Sequence, residues 1–123
     1  MKSYFLLLIS FFTTAVLAQE KGSAVEILKP EMNAFFKQDS KIEILASGFE
    51  WSEGPVWVPE LNGLLFSDVP ENKVFLWSPN KGLSVFLDPS GYTGAVSRTG
   101  ESGSNGLTLD KNGHLILCQH GDR

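Results

Sequence analysis

The sequence predicts an all-β fold of short antiparallel strands, and three observations carry that expectation. From Ile42 onward, short apolar runs alternate with Gly, Pro, Asn and Asp, the punctuation of strands joined by tight turns. The 123 residues include twelve Gly, six Pro, nine Phe, three Trp and two Tyr, a composition of turns and strands rather than of a helix bundle. A polar residue followed by Gly opens an apolar strand twice, at Glu53-Gly54 and at Asn105-Gly106, an offset of 105 − 53 = 52 residues.

The elements follow in chain order. Lys2 and the apolar run Phe5 to Leu17, closed by Val16-Leu17-Ala18, read as a signal peptide over residues 1–18 with cleavage before Gln19. The run is shorter than the ~20 residues a membrane span needs, so export is expected, leaving a mature chain of 123 − 18 = 105 residues. Residues 19–45 form a lead segment, with a short strand expected at Ala24 to Leu28 and one or two helical turns at Glu31 to Lys37 after Pro30. Strands are then expected at Ile42 to Ala46, Pro55 to Val58, Leu64 to Ser67, Lys73 to Ser78, Leu83 to Leu87, Leu107 to Asp110 and Leu115 to Cys118. Asn62-Gly63 and Asn112-Gly113 lie between apolar runs as tight hairpin turns require, since both residues tolerate positive φ. Pro79-Asn80-Lys81-Gly82 is a further turn, with Pro setting φ and Gly closing.

The repeat extends the argument from strands to architecture. In each copy an Asn-Gly turn follows the first strand, and a second apolar strand leads into a polar loop, Asp68 to Asn72 or Gln119 to Asp122. Two more strands complete the first copy, and four-strand units of this size are the blades of a β-propeller; a small β-sandwich is the competing expectation. The second copy is two strands long at Arg123, so the domain at 46–123 is expected to hold the first one and a half to two blades of a longer ring.

Charge and cysteine content exclude other classes. Ten basic and fourteen acidic residues give a net charge of -4, with no basic patch for nucleic acid. A single cysteine, Cys118, excludes an intrachain disulfide framework or a cysteine zinc cluster.

In a blade, the start of the first strand and the loop after the second lie on one face, so Glu53, Asp68, Asn105 and His120 are expected to share it. A carboxylate and an amide oxygen suit a hard divalent cation, which would polarise a carbonyl and acidify bound water. Each position also has a plainer reading. Glu53 is a solvated turn carboxylate before Gly54-Pro55, Asp68 caps the loop before Pro70 by bonding backbone amides, Asn105 is a turn residue or pocket contact, and His120 lines a pocket or stands on its rim. His114 is a surface residue, Cys118 a buried small hydrophobe, and Trp51, Trp57 and Trp77 are inter-blade core rather than a sugar platform.

Five segments in order narrow the reading: Trp51-Ser52-Glu53-Gly54-Pro55-Val56-Trp57, Leu64 to Pro70, Asp88-Pro89-Ser90-Gly91-Tyr92, Ser104 to Asp110, and Cys118-Gln119-His120-Gly121. Together they resemble the N-terminal part of the SMP-30/gluconolactonase/LRE-like family over about residues 46 to 123. The resemblance implies a six-bladed propeller with calcium or zinc at one end of its channel, hydrolysing lactones. It implies Glu53 as a metal ligand, with the other ligands and the catalytic base beyond Arg123; Asn105 and His120, from their place on the same face, are the expected substrate contacts. A small-molecule lactone is the substrate expected, and a monomer is expected; the signal peptide gives a periplasmic or secreted location with no membrane association after cleavage, and the charge balance gives no nucleic-acid partner. The alternatives are a propeller phosphotriesterase or esterase, or a non-catalytic sugar- or protein-binding propeller.

Overall fold

The computed structural model describes residues 25–37, 40–96 and 98–122. The expected signal peptide at 1–18 lies outside them. Contacts divide the chain into a unit up to Glu43 and a unit from Ile44.

In the first unit, Pro30–Ala34 forms one 3-10 turn with Pro at its start and Asn33 Nδ2 donating to the Pro30 carbonyl. This is shorter than the helical segment expected over Glu31 to Lys37. Val25 N donates to Ser40 O, yet residues 25–28 form no strand.

The second unit is all-β. Strands β1 (Ser52–Val58), β2 (Gly63–Asp68), β3 (Lys73–Ser78) and β4 (Gly82–Leu87) form a four-stranded antiparallel sheet in sequence order, and β5 (Ser104–Leu109) pairs with β6 (Leu115–Gln119) in a separate hairpin. The strand expected at Ile42 to Ala46 is absent, and Ile42, Ile44 and Leu45 are exposed. Their apolar character signals strand propensity, but a strand needs a partner for its backbone groups, and no such pairing exists among the described residues.

The turns differ in kind from one another. Val58 pairs with Gly63, so the first hairpin is closed by a 3-10 turn at Pro59–Leu61 and by Asn62 at φ 45°, not by a two-residue Asn-Gly turn. At the β5–β6 turn only Gly113 takes positive φ, and the Asp110 carboxylate accepts the Asn112 and His114 amides. The β3–β4 turn closes on Gly82 at φ 68°, as expected.

Both first strands carry one extra residue near their starts: Gly54 and Pro55 face a single residue of β2, and Asn105 and Gly106 a single residue of β6. Such bulges admit Pro within a sheet and increase local twist. Val56 pairs with Leu65 and Leu107 with Leu117, so the first strands superpose at 107 − 56 = 51 residues and the second strands at 117 − 65 = 52. Pairing therefore puts Ser104, one residue before the Asn of the sequence motif, in the place of Glu53.

The core forms where the sheet meets the hairpin. Val58, Leu65, Val74 and Leu107 are buried, with Val56, Leu76, Leu109, Leu115 and Leu117 packed on them. Each fully buried side chain of this kind contributes about 1.5–3 kcal/mol. On the other face of the sheet, Phe49, Phe66 and Phe75 form an aromatic cluster with centroids 4.9 to 5.8 Å apart. Register puts Trp57 and Trp77 on that face too, through the pairs Trp57–Leu64 and Leu64–Trp77. The tryptophans thus do not lie between the two sheets, and Trp51 and Trp57 are exposed. Cys118 is exposed as well, contrary to expectation, because β6 is an edge strand and its alternate residues face no second layer among the described residues.

Candidate functional site

The starts of β1 and β5 and the ends of β2 and β6 meet at one end of this unit. Glu53 pairs with Ser67 across the ladder. Ser67 Oγ lies 2.9 Å from Ser104 Oγ and donates to the Asn105 carbonyl at 2.9 Å. Gly54, at φ 61°, allows the close approach: a Cβ there would stand 2.7 Å from Asn105 O, Gly106 Cα and Leu107 N. These contacts place Glu53 beside Asn105. Glu53 Oε2 is buried and has no hydrogen-bond partner, the only such side-chain atom among the described residues. Leaving a buried acceptor unpaired costs about 1–3 kcal/mol, more when it is charged.

Asp68 does a different job. It is 2% exposed, and its two oxygens accept the backbone amides of Glu50 at 3.1 Å and Trp51 at 3.0 Å. It binds backbone amides as expected, but those leading into β1 rather than those of the loop before Pro70.

Asn105 and His120 meet on a residue the sequence reading did not single out. Glu101 Oε2 accepts Asn105 Nδ2–H at 3.3 Å and contacts His120 Nδ1. His114 instead pairs with Asp110 at 2.9 Å on the exposed turn at the opposite end, in keeping with a surface role. The His114 contact and the turn amides hold the Asp110 carboxyl below its ordinary value.

Glu101 belongs to the 88–103 connection, which is tied down at several points. Asn72, at φ 58°, accepts the Ser90 and Gly91 amides on Oδ1 and donates from Nδ2 to Tyr92 O. Ser90 Oγ accepts Ser104 N, and Gln119 Nε2 donates to Ser90 O. Asp122 accepts both Thr93 N and the Thr93 hydroxyl, and these donors hold its carboxyl below the ordinary range. The partners of Ser90 and Gln119 are distant in sequence, and Glu101 joins a neighbour four residues on, Asn105, to the distant His120.

A cavity of about 290 Å³ lies at the far end among Val58, Leu61, Leu65, Phe86, Leu109 and Leu115, with Glu60 and Asn112 at its polar side. The donor set at Glu53 fits a divalent cation in part. An unpaired buried carboxylate oxygen suits a hard ion, whereas no group of three or more His, Cys, Asp or Glu side chains converges among the described residues.

Two antiparallel β-layers with an unpartnered carboxylate where their first strands begin define an all-β scaffold bearing part of an acidic site. The family can be stated more narrowly. The profile of the SMP-30/Gluconolactonase/LRE-like region matches residues 51–123, and the chain belongs to that family. It is 41% identical over 96 residues to a gluconolactonase of Zymomonas mobilis subsp. mobilis, covering 76% of this chain and 27% of the relative. It also resembles an X-ray structure of a protein provisionally described as a gluconolactonase, at 37% identity and TM-score 0.59, over 75% of this chain and 28% of the other. The chain thus spans about a quarter of the length of these relatives.

Proposed function

We propose that this chain is the opening part of an exported, metal-dependent lactone hydrolase built as a β-propeller, with β1–β4 as its first blade and β5–β6 beginning the second. The observation that carries the reading is Glu53 Oε2, a buried carboxylate oxygen with no partner, in a chain related to a gluconolactonase. Glu53 would be one ligand of calcium or zinc, with further ligands supplied outside residues 25–122. Such an ion would polarise the lactone carbonyl and lower the pKa of bound water.

The chain's own residues orient and exclude. The Ser67–Ser104 contact and the Gly54 approach fix Glu53 next to Asn105, and Asp68 holds the segment entering β1. Asn105 and His120 offer polar contacts to the lactone. Glu53 precedes the bulge and is held in the ladder by its pairing with Ser67.

The test is proton release from gluconolactone by the full-length protein, with chelator and then with calcium or zinc restored. Hydrolysis above the spontaneous rate that disappears with chelator, returns with metal and is lost in Glu53→Gln supports the reading. A folded, metal-loaded protein that hydrolyses no lactone refutes it.

A further inference from the structure

The Glu101 carboxylate joins the Asn105 and His120 side chains, and nothing in the lactone mechanism above requires it. Glu101 Oε2 meets His120 Nδ1 and the Asn105 amide nitrogen. An ionised carboxylate only accepts hydrogen bonds. The imidazole nitrogen facing it must therefore carry a proton, and in the neutral ring Nε2 is left as a bare acceptor. By the same logic the NH2 of Asn105 is committed to Glu101, which leaves Oδ1 as that side chain's acceptor.

The surroundings hold this arrangement from both sides. Gly121 and Asp122, which follow His120, are tied to the loop that carries Glu101: Arg98 Nη1 donates to Gly121 O, and Thr93 donates twice to Asp122. The Asn105 backbone is pinned by Ser67 and by the approach of Gly54.

We propose that Glu101 is a positioning residue that holds His120 in its Nδ1–H tautomer and orients the Asn105 amide, so that Nε2 and Oδ1 form paired acceptors for the hydroxyl groups of a polyhydroxylated substrate. The proposal deepens the lactone hydrolase reading by naming the substrate feature recognised, and its kinetic half rests on that reading. Hydroxyl groups donate to these acceptors, whereas a lactone without hydroxyls gains nothing from them. Asn105 is half-buried and His120 exposed, so the discrimination expected is that of about one hydrogen bond.

Two measurements on the full-length protein test it. The first is the tautomer of His120 by long-range proton–nitrogen correlation, read at a pH where the spectrum itself shows the neutral ring. Wild type is expected as Nδ1–H, Glu101→Ala as a mixture, and Glu101→Gln, whose amide oxygen still accepts, as Nδ1–H. Wild type as Nε2–H overturns the proposal. The second compares gluconolactone with δ-valerolactone, which has no hydroxyl. Glu101→Ala should raise KM for gluconolactone about tenfold, the equivalent of one lost hydrogen bond of about 1.4 kcal/mol. It should leave δ-valerolactone within about twofold, and Glu101→Gln should recover most of the loss. Equal losses on both lactones, or none on either, overturn the substrate role while leaving the hydrolase reading intact. If wild type hydrolyses neither lactone, that reading fails separately, and titration with gluconate and with valerate decides the proposal. A shift of the His120 ring nitrogens with gluconate alone supports it, and no shift overturns it.

Discussion

Replacing Gly54 by Ala isolates the contact that brings β1 against β5. Two costs arise at this position. At φ 61° an L-residue with a Cβ is in the left-handed region, at about 1–2 kcal/mol. The new Cβ would also stand 2.7 Å from three backbone atoms of Asn105, Gly106 and Leu107; backbone cannot swing aside as a side-chain end can, and forcing atoms into a packed site costs about 1–3 kcal/mol more. The sum is about 2–5 kcal/mol. Two other glycines separate the terms. Gly82 has φ 68° with nothing within 4 Å, so Gly82→Ala should cost only the conformational part, about 1–2 kcal/mol. Gly106 has only Cys118 Sγ, at 4.0 Å, and no positive φ, so Gly106→Ala should lie within about 1 kcal/mol of wild type in either direction. Urea unfolding of the three full-length variants gives the ranking, and lactone hydrolysis adds a second readout, since only Gly54→Ala displaces Glu53 from Asn105. A Gly54→Ala protein as stable as Gly82→Ala would refute the close-approach argument.

Other variants test the supports of the same end. Metal should stabilise wild type but not Glu53→Gln, by about 2.7 kcal/mol when the free ion is at a hundred times its Kd, read as a rise in the thermal midpoint; in chelator the two should lie within about 1 kcal/mol of each other, because Oε2 already lacks a hydrogen-bond partner. Asp68→Asn turns one acceptor toward the Glu50 or Trp51 amide into a donor and should cost about 1–3 kcal/mol in a denaturation curve. Asn72→Gly keeps φ but loses three hydrogen bonds, at about 0.5–1.5 kcal/mol each; Asn72→Ala should be worse by about 1–2 kcal/mol because of its φ of 58°. Thr93 holds the Asp122 carboxyl below its ordinary value, so this tether contributes fully above the ordinary carboxylate range and is lost as pH falls through the lower folded value. Hydrogen exchange at the Thr93 amide should accelerate across that acidic window and not near neutrality, and Asp122→Asn should flatten the dependence.

Much of the β-unit was legible because local chemistry decides it. Turn residues and short apolar runs located the six strands within a few residues, and Gly82 closes its turn as its φ freedom allows. The motif around Glu53 marked the carboxylate whose Oε2 proves to be buried without a hydrogen-bond partner. Where the outcome depended on a partner, local reading failed. Ile42 to Ala46 has strand composition but no strand to pair with among the described residues. Cys118 sits in an apolar run, yet an edge strand leaves it exposed.

By itself, then, the sequence determined the strand order, the turn positions and the family, since each rests on residue type and short spacing. Only the tertiary structure decided that Asp68 serves the backbone before β1, that pairing sets Ser104 rather than Asn105 in the place of Glu53, and that Glu101 joins Asn105 to His120. Bulges shift register by one residue without altering composition, and hydrogen bonds between residues 17 or more positions apart leave no periodic trace in the chain.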